Sequence, residues 1–103
     1  GKRLAFRAHT YGWGDIGVWD IEAEELTWVT QTDTDESWPA WAPNGTELAY
    51  ASAAEGHYRL CIADLATGQT VTLDTPPASD DVAPAWSADG TAIAFQRVAR
   101  RKP

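Results

Sequence analysis

Two groups of carboxylates are the first residues with chemistry to offer. Asp33, Asp35 and Glu36 lie close together, and Asp80 and Asp81 follow one repeat later, Asp80 standing 45 positions after Asp35. Calcium takes several converging oxygen ligands, and carboxylates two apart on a loop can supply them. The glycine-bearing spacing of an EF-hand loop is absent, so the expectation is no bound metal. These acids are expected to cap the entry to a strand, at the place where any cation would go first.

Nucleophilic chemistry has thinner support. Cys61 is the single cysteine, so no internal disulfide forms, and no Cys/His spacing resembles a zinc site. It sits in the run Leu60-Cys61-Ile62, where a free cysteine behaves as a small hydrophobe. His9 and His57 occupy matching stretches read as loops, and neither has a serine or cysteine partner in a recognisable motif. Neither a Gly-x-Ser-x-Gly elbow nor a phosphate-cradling loop is present. The chain is read as a non-enzyme with no catalytic residue and no cofactor.

Aromatic residues remain. Six tryptophans in 103 residues point either to a repeated packing position or to an exposed binding surface, and position decides between them. Tyr11, Trp13, Trp19, Trp28 and Trp38 break the repeat described next. Tyr11-Gly12-Trp13-Gly14 reads as an aromatic loop able to stack on a sugar ring or grip a peptide. Trp13 and Trp38 are expected to be exposed, and Trp19 and Trp28 to pack between sheets. The candidate ligand or partner contacts are therefore Tyr11, Trp13, Trp38, Asp35, Glu36, Asp80 and Asp81.

The elements that position these residues follow from an internal repeat. Pro39-Ala40-Trp41-Ala42-Pro43-Asn44-Gly45-Thr46-Glu47-Leu48-Ala49-Tyr50 returns 45 positions later as Pro84-Ala85-Trp86-Ser87-Ala88-Asp89-Gly90-Thr91-Ala92-Ile93-Ala94-Phe95. A third copy enters at the N-terminus with an offset of 44. It carries Gly1 onto Gly45, Leu4-Ala5-Phe6 onto Leu48-Ala49-Tyr50, Gly12 onto Gly56, Val18 onto Ile62 and Asp20 onto Asp64. Trp41, Gly45, Asp64, Trp86 and Gly90 are thus structural repeat positions.

One repeat reads as four short strands. Pro39 should open the first, which ends at Trp41, since proline belongs at a strand start or edge. Asn44-Gly45 and Asp89-Gly90 signal hairpins in which both turn residues reach positive φ. Residues 46–50, 58–65 and 70–73 read as the next three strands, and residues 74–81 as a connector. No window holds a 3.6-residue apolar period, so helices should be rare or absent.

Short antiparallel strands in fours, repeating every 40–45 residues, are the pattern of a β-propeller blade. The quoted segments resemble the repeat of TolB-like, WD-repeat-like β-propellers, written roughly Pro-x-Trp-Ser-Pro-Asp-Gly-x-x-Ile-Ala-Phe. Val18-Trp19-Asp20-Ile21 and Ile62-Ala63-Asp64-Leu65 match the element that follows in that repeat. The fold class is therefore all-β, with about two four-stranded antiparallel blades per chain, circularly shifted. Residues 1–32 would form a first blade without its inner strand, 33–77 a complete blade, and 78–103 the first two strands of a further blade plus a basic tail. The resemblance implies a six-bladed ring, blade-packing roles for Trp41 and Trp86, and a periplasmic or extracellular setting.

Partners follow from charge and from the open blade edges. Fifteen acidic against eight basic residues give a formal charge of −7, which repels a phosphate backbone, so no nucleic acid is expected. Arg97, Arg100, Arg101 and Lys102 read as a solvated tail. No stretch is long and apolar enough for a membrane helix, and no membrane insertion is expected. Two blades leave open edges, which a head-to-tail homo-oligomer of three chains or the remainder of a longer propeller would meet. The leading expectation is a non-enzymatic scaffold for protein or peptide partners. The alternatives are the propeller of a prolyl-oligopeptidase-type hydrolase and a carbohydrate-binding propeller.

Overall fold

The computed structural model describes residues 2–10 and 13–99. Nine strands and no helix form among them. β1 (Arg3–Thr10), β2 (Trp13–Asp20) and β3 (Glu25–Trp28) make the first sheet. β4 (Glu36–Trp41), β5 (Glu47–Ser52), β6 (Arg59–Asp64) and β7 (Thr70–Thr72) make the second. β8 (Ser79–Trp86) and β9 (Ile93–Ala99) make the third. Every sheet is an antiparallel meander in chain order.

Side chains alternate across a strand, and the middle sheet uses both faces. Leu48 and Tyr50 of β5 and Cys61 and Ala63 of β6 pack on Ile16 and Val18 of β2. The intervening residues Ala51 and Leu60 face the other way, onto Val82 of β8. The two cores are therefore the two inter-sheet faces. Ile16 and Leu48 are wholly inaccessible, and truncating such a leucine to alanine costs about 3 kcal/mol. Two contacts to the repeated tryptophans join the sheets further. The Trp86 indole N–H donates to the Ala40 carbonyl at 3.0 Å, and the Arg3 guanidinium lies 4.7 Å from the Trp41 ring centroid.

The hairpin turns differ from the sequence expectation. Gly45 and Gly90 have φ of 74° and 76°, but Asn44 and Asp89 do not take positive φ. The loop is longer than two residues: Ala42 N–H donates to Glu47 O, and Gly45 N–H to Ala42 O. Asn44 serves through its side chain, whose Oδ1 accepts the N–H groups of Thr46 and Glu47. Asp89 accepts from Thr91 N–H and from the hydroxyls of Thr91 and Ser87. The Asn/Asp preference before glycine therefore comes from hydrogen bonding to the local backbone.

Pro39 does not open its strand. β4 starts at Glu36, and Trp38-Pro39 together oppose Tyr50 between the pairs Ser37–Ala51 and Ala40–Ala49. Ala83-Pro84 oppose Phe95 in the same way between Val82–Gln96 and Ala85–Ala94. Two residues against one is a β-bulge, and a bulge on an edge strand tolerates a residue without N–H. Trp38 and Ala83 both take φ 55° there. The connector is also shorter than expected, because β8 begins at Ser79. Its early start reflects the pairing of Ser79 with Ala99 and of Asp80 with Val98 on β9.

Candidate functional site

The candidate acids act as ties between sheets and loops. Asp35 precedes β4. Its Oδ1 accepts from the Arg7 guanidinium of β1 at 2.6 Å and from Gly14 N–H of β2 at 2.9 Å. Its Oδ2 accepts from the Tyr58 hydroxyl at 2.5 Å, and its main-chain carbonyl accepts Ala53 N–H. Burial would push the Asp35 carboxyl up. The Tyr58, Arg7 and Gly14 hydrogen bonds outweigh it and hold the group below the usual carboxylate range. Tyr58 is pushed up to about 12, by burial first and then by its bond to Asp35.

Glu36 is 1% exposed. It accepts three hydroxyls, from Thr32, Thr34 and Ser52, at 2.5, 2.9 and 3.0 Å. Asp81, one repeat on, is 2% exposed. It receives a two-pronged bond from Arg97 at 2.7 and 2.9 Å and a Thr75 hydroxyl at 2.8 Å. The Arg97 fork lowers the Asp81 carboxyl against the opposing effect of burial. Asp80 accepts the Tyr58 N–H at 2.8 Å, the same link that Gly14 makes to Asp35 one repeat earlier. Asp33 is exposed. Among the described residues no three His, Cys, Asp or Glu side chains gather as a metal site would require.

The remaining candidates separate into core and surface. The Cys61 thiol is buried and pushed up by that burial, and its Sγ lies 3.6 Å from the Thr72 hydroxyl. His9 belongs to β1 and not to a loop, with Nε2 2.8 Å from the Arg7 guanidinium. His57 does lie in a loop, and its Nε2 is buried without a hydrogen-bond partner. Asp64 and Asp20 cap the turns after β6 and β2, each accepting two main-chain N–H groups.

Among the aromatics, Trp13 is 49% and Trp38 42% exposed. Trp38 stands on the bulge with its ring edge-to-face on Tyr58, centroids 5.5 Å apart. Asp35 thus links the backbone beside Trp13 to the ring that supports Trp38. Tyr11 lies outside the described residues. Trp19 and Trp28 are strand residues, but they share the outer face of the first sheet with Leu4, Phe6 and Leu26. No described sheet covers that face. Phe6 and Trp28 meet edge-to-face at 5.9 Å, while Leu4, Trp19 and Leu26 are exposed.

Three participants carried no signal in the repeat alignment. Arg7, Tyr58 and Asp15 are each a departure from the repeat, and Asp15 is buried, accepting from the Thr30 hydroxyl and Thr32 N–H. Arg97 is a fourth. It reads as part of a solvated tail, yet it forks onto a buried carboxylate. Arg100, Arg101 and Lys102 lie outside the described residues.

The sheets, their bulges and their Asx-braced hairpins define a class, the WD-repeat-like β-propeller blade. Within that class the blades are TolB-like. The TolB homologue of Protochlamydia amoebophila is 36% identical over 53 residues, covering 52% of this chain and 11% of its own length. The TolB homologue of Chlorobaculum tepidum is 30% identical over 74 residues, 72% of this chain and 17% of its own. The crystal structure of TolB from Acinetobacter baumannii superposes with a TM-score of 0.75 at 26% identity, over 92% of this chain and 24% of that one. The putative TolB from Agrobacterium tumefaciens shares the fold, with a TM-score of 0.82 at 21% identity over 92% of this chain and 34% of that one. The chain thus spans less than a fifth of the curated relatives it matches. No family model matches it.

Proposed function

We propose that these blades are a non-enzymatic scaffold whose loop end holds a protein or peptide partner outside the cytoplasm. The observation that carries this reading is the pair of exposed tryptophans, Trp13 and Trp38, braced through Asp35 and Tyr58. Large aromatic side chains held by neighbours supply contact area at low entropic cost, as binding hot spots do. The internally bonded acids Asp35, Glu36 and Asp81 would then position this surface and set its local charge. The TolB-like character of the blades supports the extracytoplasmic setting.

Selection of a displayed random-peptide library on the chain tests the reading. Enriched peptides are expected to lose at least ten-fold in affinity when Trp13 and Trp38 are both changed to alanine, with thermal melting still cooperative. Peptides that bind the double variant equally well would refute it.

A second reading is a head-to-tail association of three chains into six blades. Such a ring, like a further blade of a longer propeller, would cover the exposed face of Leu4, Trp19 and Leu26. It would place β1 of one copy where β9 of the next now lies, so the Arg97–Asp81 pair would have to break. Light scattering that returned the mass of one chain would exclude it.

A further inference from the structure

The first and second sheets meet at the rim along a groove beside β3. Its walls are the β2–β3 hairpin and the β6–β7 hairpin, each closed by its own turn. Two lobes of about 200 Å³ each make up the groove. Thr27 and Leu65 line both lobes, so the two run together. The groove lies at the end of the sheets where Asp20 and Asp64 cap the turns, and Trp13 stands at the other end of β2.

The floor is apolar. Val18, Val29, Ala63 and Leu65 reach it from the core between the two sheets. The walls are acidic. Glu25 is exposed in the first lobe, and its carboxylate enters no ion pair among the described residues. Asp20 and Asp64 commit only Oδ1 to the N–H groups of their turns, which leaves each Oδ2 open. Arg3 is the single basic lining residue. Its guanidinium is already engaged, by Gly45 O and by the Trp41 ring.

The acid is concentrated here by departure from the repeat. Glu22, Glu24 and Glu25 stand where the turn after β6 has Ala66, Gly68 and Gln69. Glu24 keeps a side chain at φ 53°, at the position where Gly68 has none. An ordinary residue is strained in that region.

We propose that this groove docks an extended segment of a partner protein, one that sets a leucine-sized side chain between lysines or arginines. The apolar side chain takes the floor beside Leu65 and Thr27. The basic ones meet Glu25 and the open oxygens of Asp20 and Asp64. Charge complementarity selects this occupant. A second copy of this chain brings the same formal charge of −7, and nucleic acid brings phosphates, so both are repelled. A small free cation leaves the apolar floor unused. The site is separate from the Trp13–Trp38 surface and does not depend on it.

The probe is the labelled peptide Ser-Lys-Arg-Leu-Lys-Arg-Ser, titrated against the full chain by fluorescence anisotropy. Saturable one-to-one binding is expected, weakening as salt is raised. Serine in place of the leucine should cost at least ten-fold, the effect of one buried aliphatic side chain. Glu25→Lys should weaken binding at least ten-fold. Asp33→Lys, the same change of charge on an exposed acid at the other end of the sheets, should leave it nearly unchanged. Thr27→Tyr adds no charge, suits a strand and fills the part the two lobes share, so it should abolish binding. Trp13→Ala combined with Trp38→Ala should leave binding as it is. Hydrogen exchange on the unsubstituted chain covers the case in which a variant fails to fold, because the peptide should protect amides of β3 and of the turn after β6. Absence of saturable binding, equal binding of the serine peptide, equal loss from Glu25→Lys and Asp33→Lys, or protection confined elsewhere would overturn the proposal. So would displacement by spermidine as complete as by unlabelled peptide at equal concentration, which would give the groove to a free amine. A peptide-free dimer abolished by Thr27→Tyr would overturn it too, by giving the groove to a second copy.

Discussion

The hydroxyl of Tyr58 donates to Asp35 at 2.5 Å, joining the loop before β6 to the residue that precedes β4. The same carboxylate holds Arg7 and Gly14 of the first sheet, so one side chain fastens two sheets at the end where Trp13 and Trp38 are exposed. Tyr58→Phe deletes one donor and keeps the ring under Trp38. A hydrogen bond to a charged group contributes about 1.5–3 kcal/mol. Partial exposure puts the expected loss near the lower end, about 1.5 kcal/mol. Denaturant unfolding measures it, and the Asp35 carboxyl should titrate higher in the variant than in the parent.

Trp38→Ala should leave the backbone of the bulge as it is. Ala83 already occupies the equivalent position with the same φ of 55°, so alanine at that dihedral is compatible with the bulge and the following proline. What is lost is the edge-to-face contact with Tyr58, about 1 kcal/mol. Thermal melting should fall only slightly. A loss of cooperative unfolding would mean that Trp38 is a core residue and not a displayed one.

Glu24 and Gly68 occupy the same turn position in successive blades, with φ of 53° and 81°. In each turn an aspartate, Asp20 or Asp64, accepts the N–H groups two and three residues on. A side chain in the left-handed region costs roughly 1 kcal/mol, against which glycine has a larger unfolded-state entropy. Glu24→Gly is expected to raise stability by about 0.5 kcal/mol, and Gly68→Ala to lower it by about 1 kcal/mol. Opposite signs in paired chemical-denaturation curves check the equivalence of the two turns.

The repeat made the all-β propeller class readable because Trp41, Gly45 and Asp64 each answer a local demand that recurs: a packing site, a left-handed turn residue, a turn cap. The bulge was not readable. Pro39 marks it, but a proline fits a strand start equally well, and the choice depends on Tyr50 lying opposite two residues. The site was legible only in part, for a related reason. Asp35, Glu36 and Asp81 stand out as acids, yet their partners Tyr58, Ser52 and Arg97 lie 23, 16 and 16 residues away. Nothing local in the chain announces a pairing over such distances. Arg97 resembled a tail residue because only the register of β8 against β9 brings it opposite Asp81.

Acid should weaken the protein through Asp81 and Asp35. The Arg97 fork holds Asp81 below its ordinary value of 3.8. Asp35 is held below the same value because the bonds from Tyr58, Arg7 and Gly14 outweigh the opposing effect of burial. A carboxyl whose folded value lies below its unfolded one favours the folded state wherever both forms are ionised. That contribution is complete above the unfolded value and drains away as pH falls through the folded one. Unfolding free energy should therefore be flat with respect to these groups above about pH 5 and decline below 3.8. Arg97→Ala removes the cation and leaves burial to act on Asp81, so its carboxyl should move up. The acid limb of a stability-against-pH curve should then begin at higher pH in Arg97→Ala than in the parent protein. Coincident limbs would show that the fork on Asp81 contributes nothing to acid resistance.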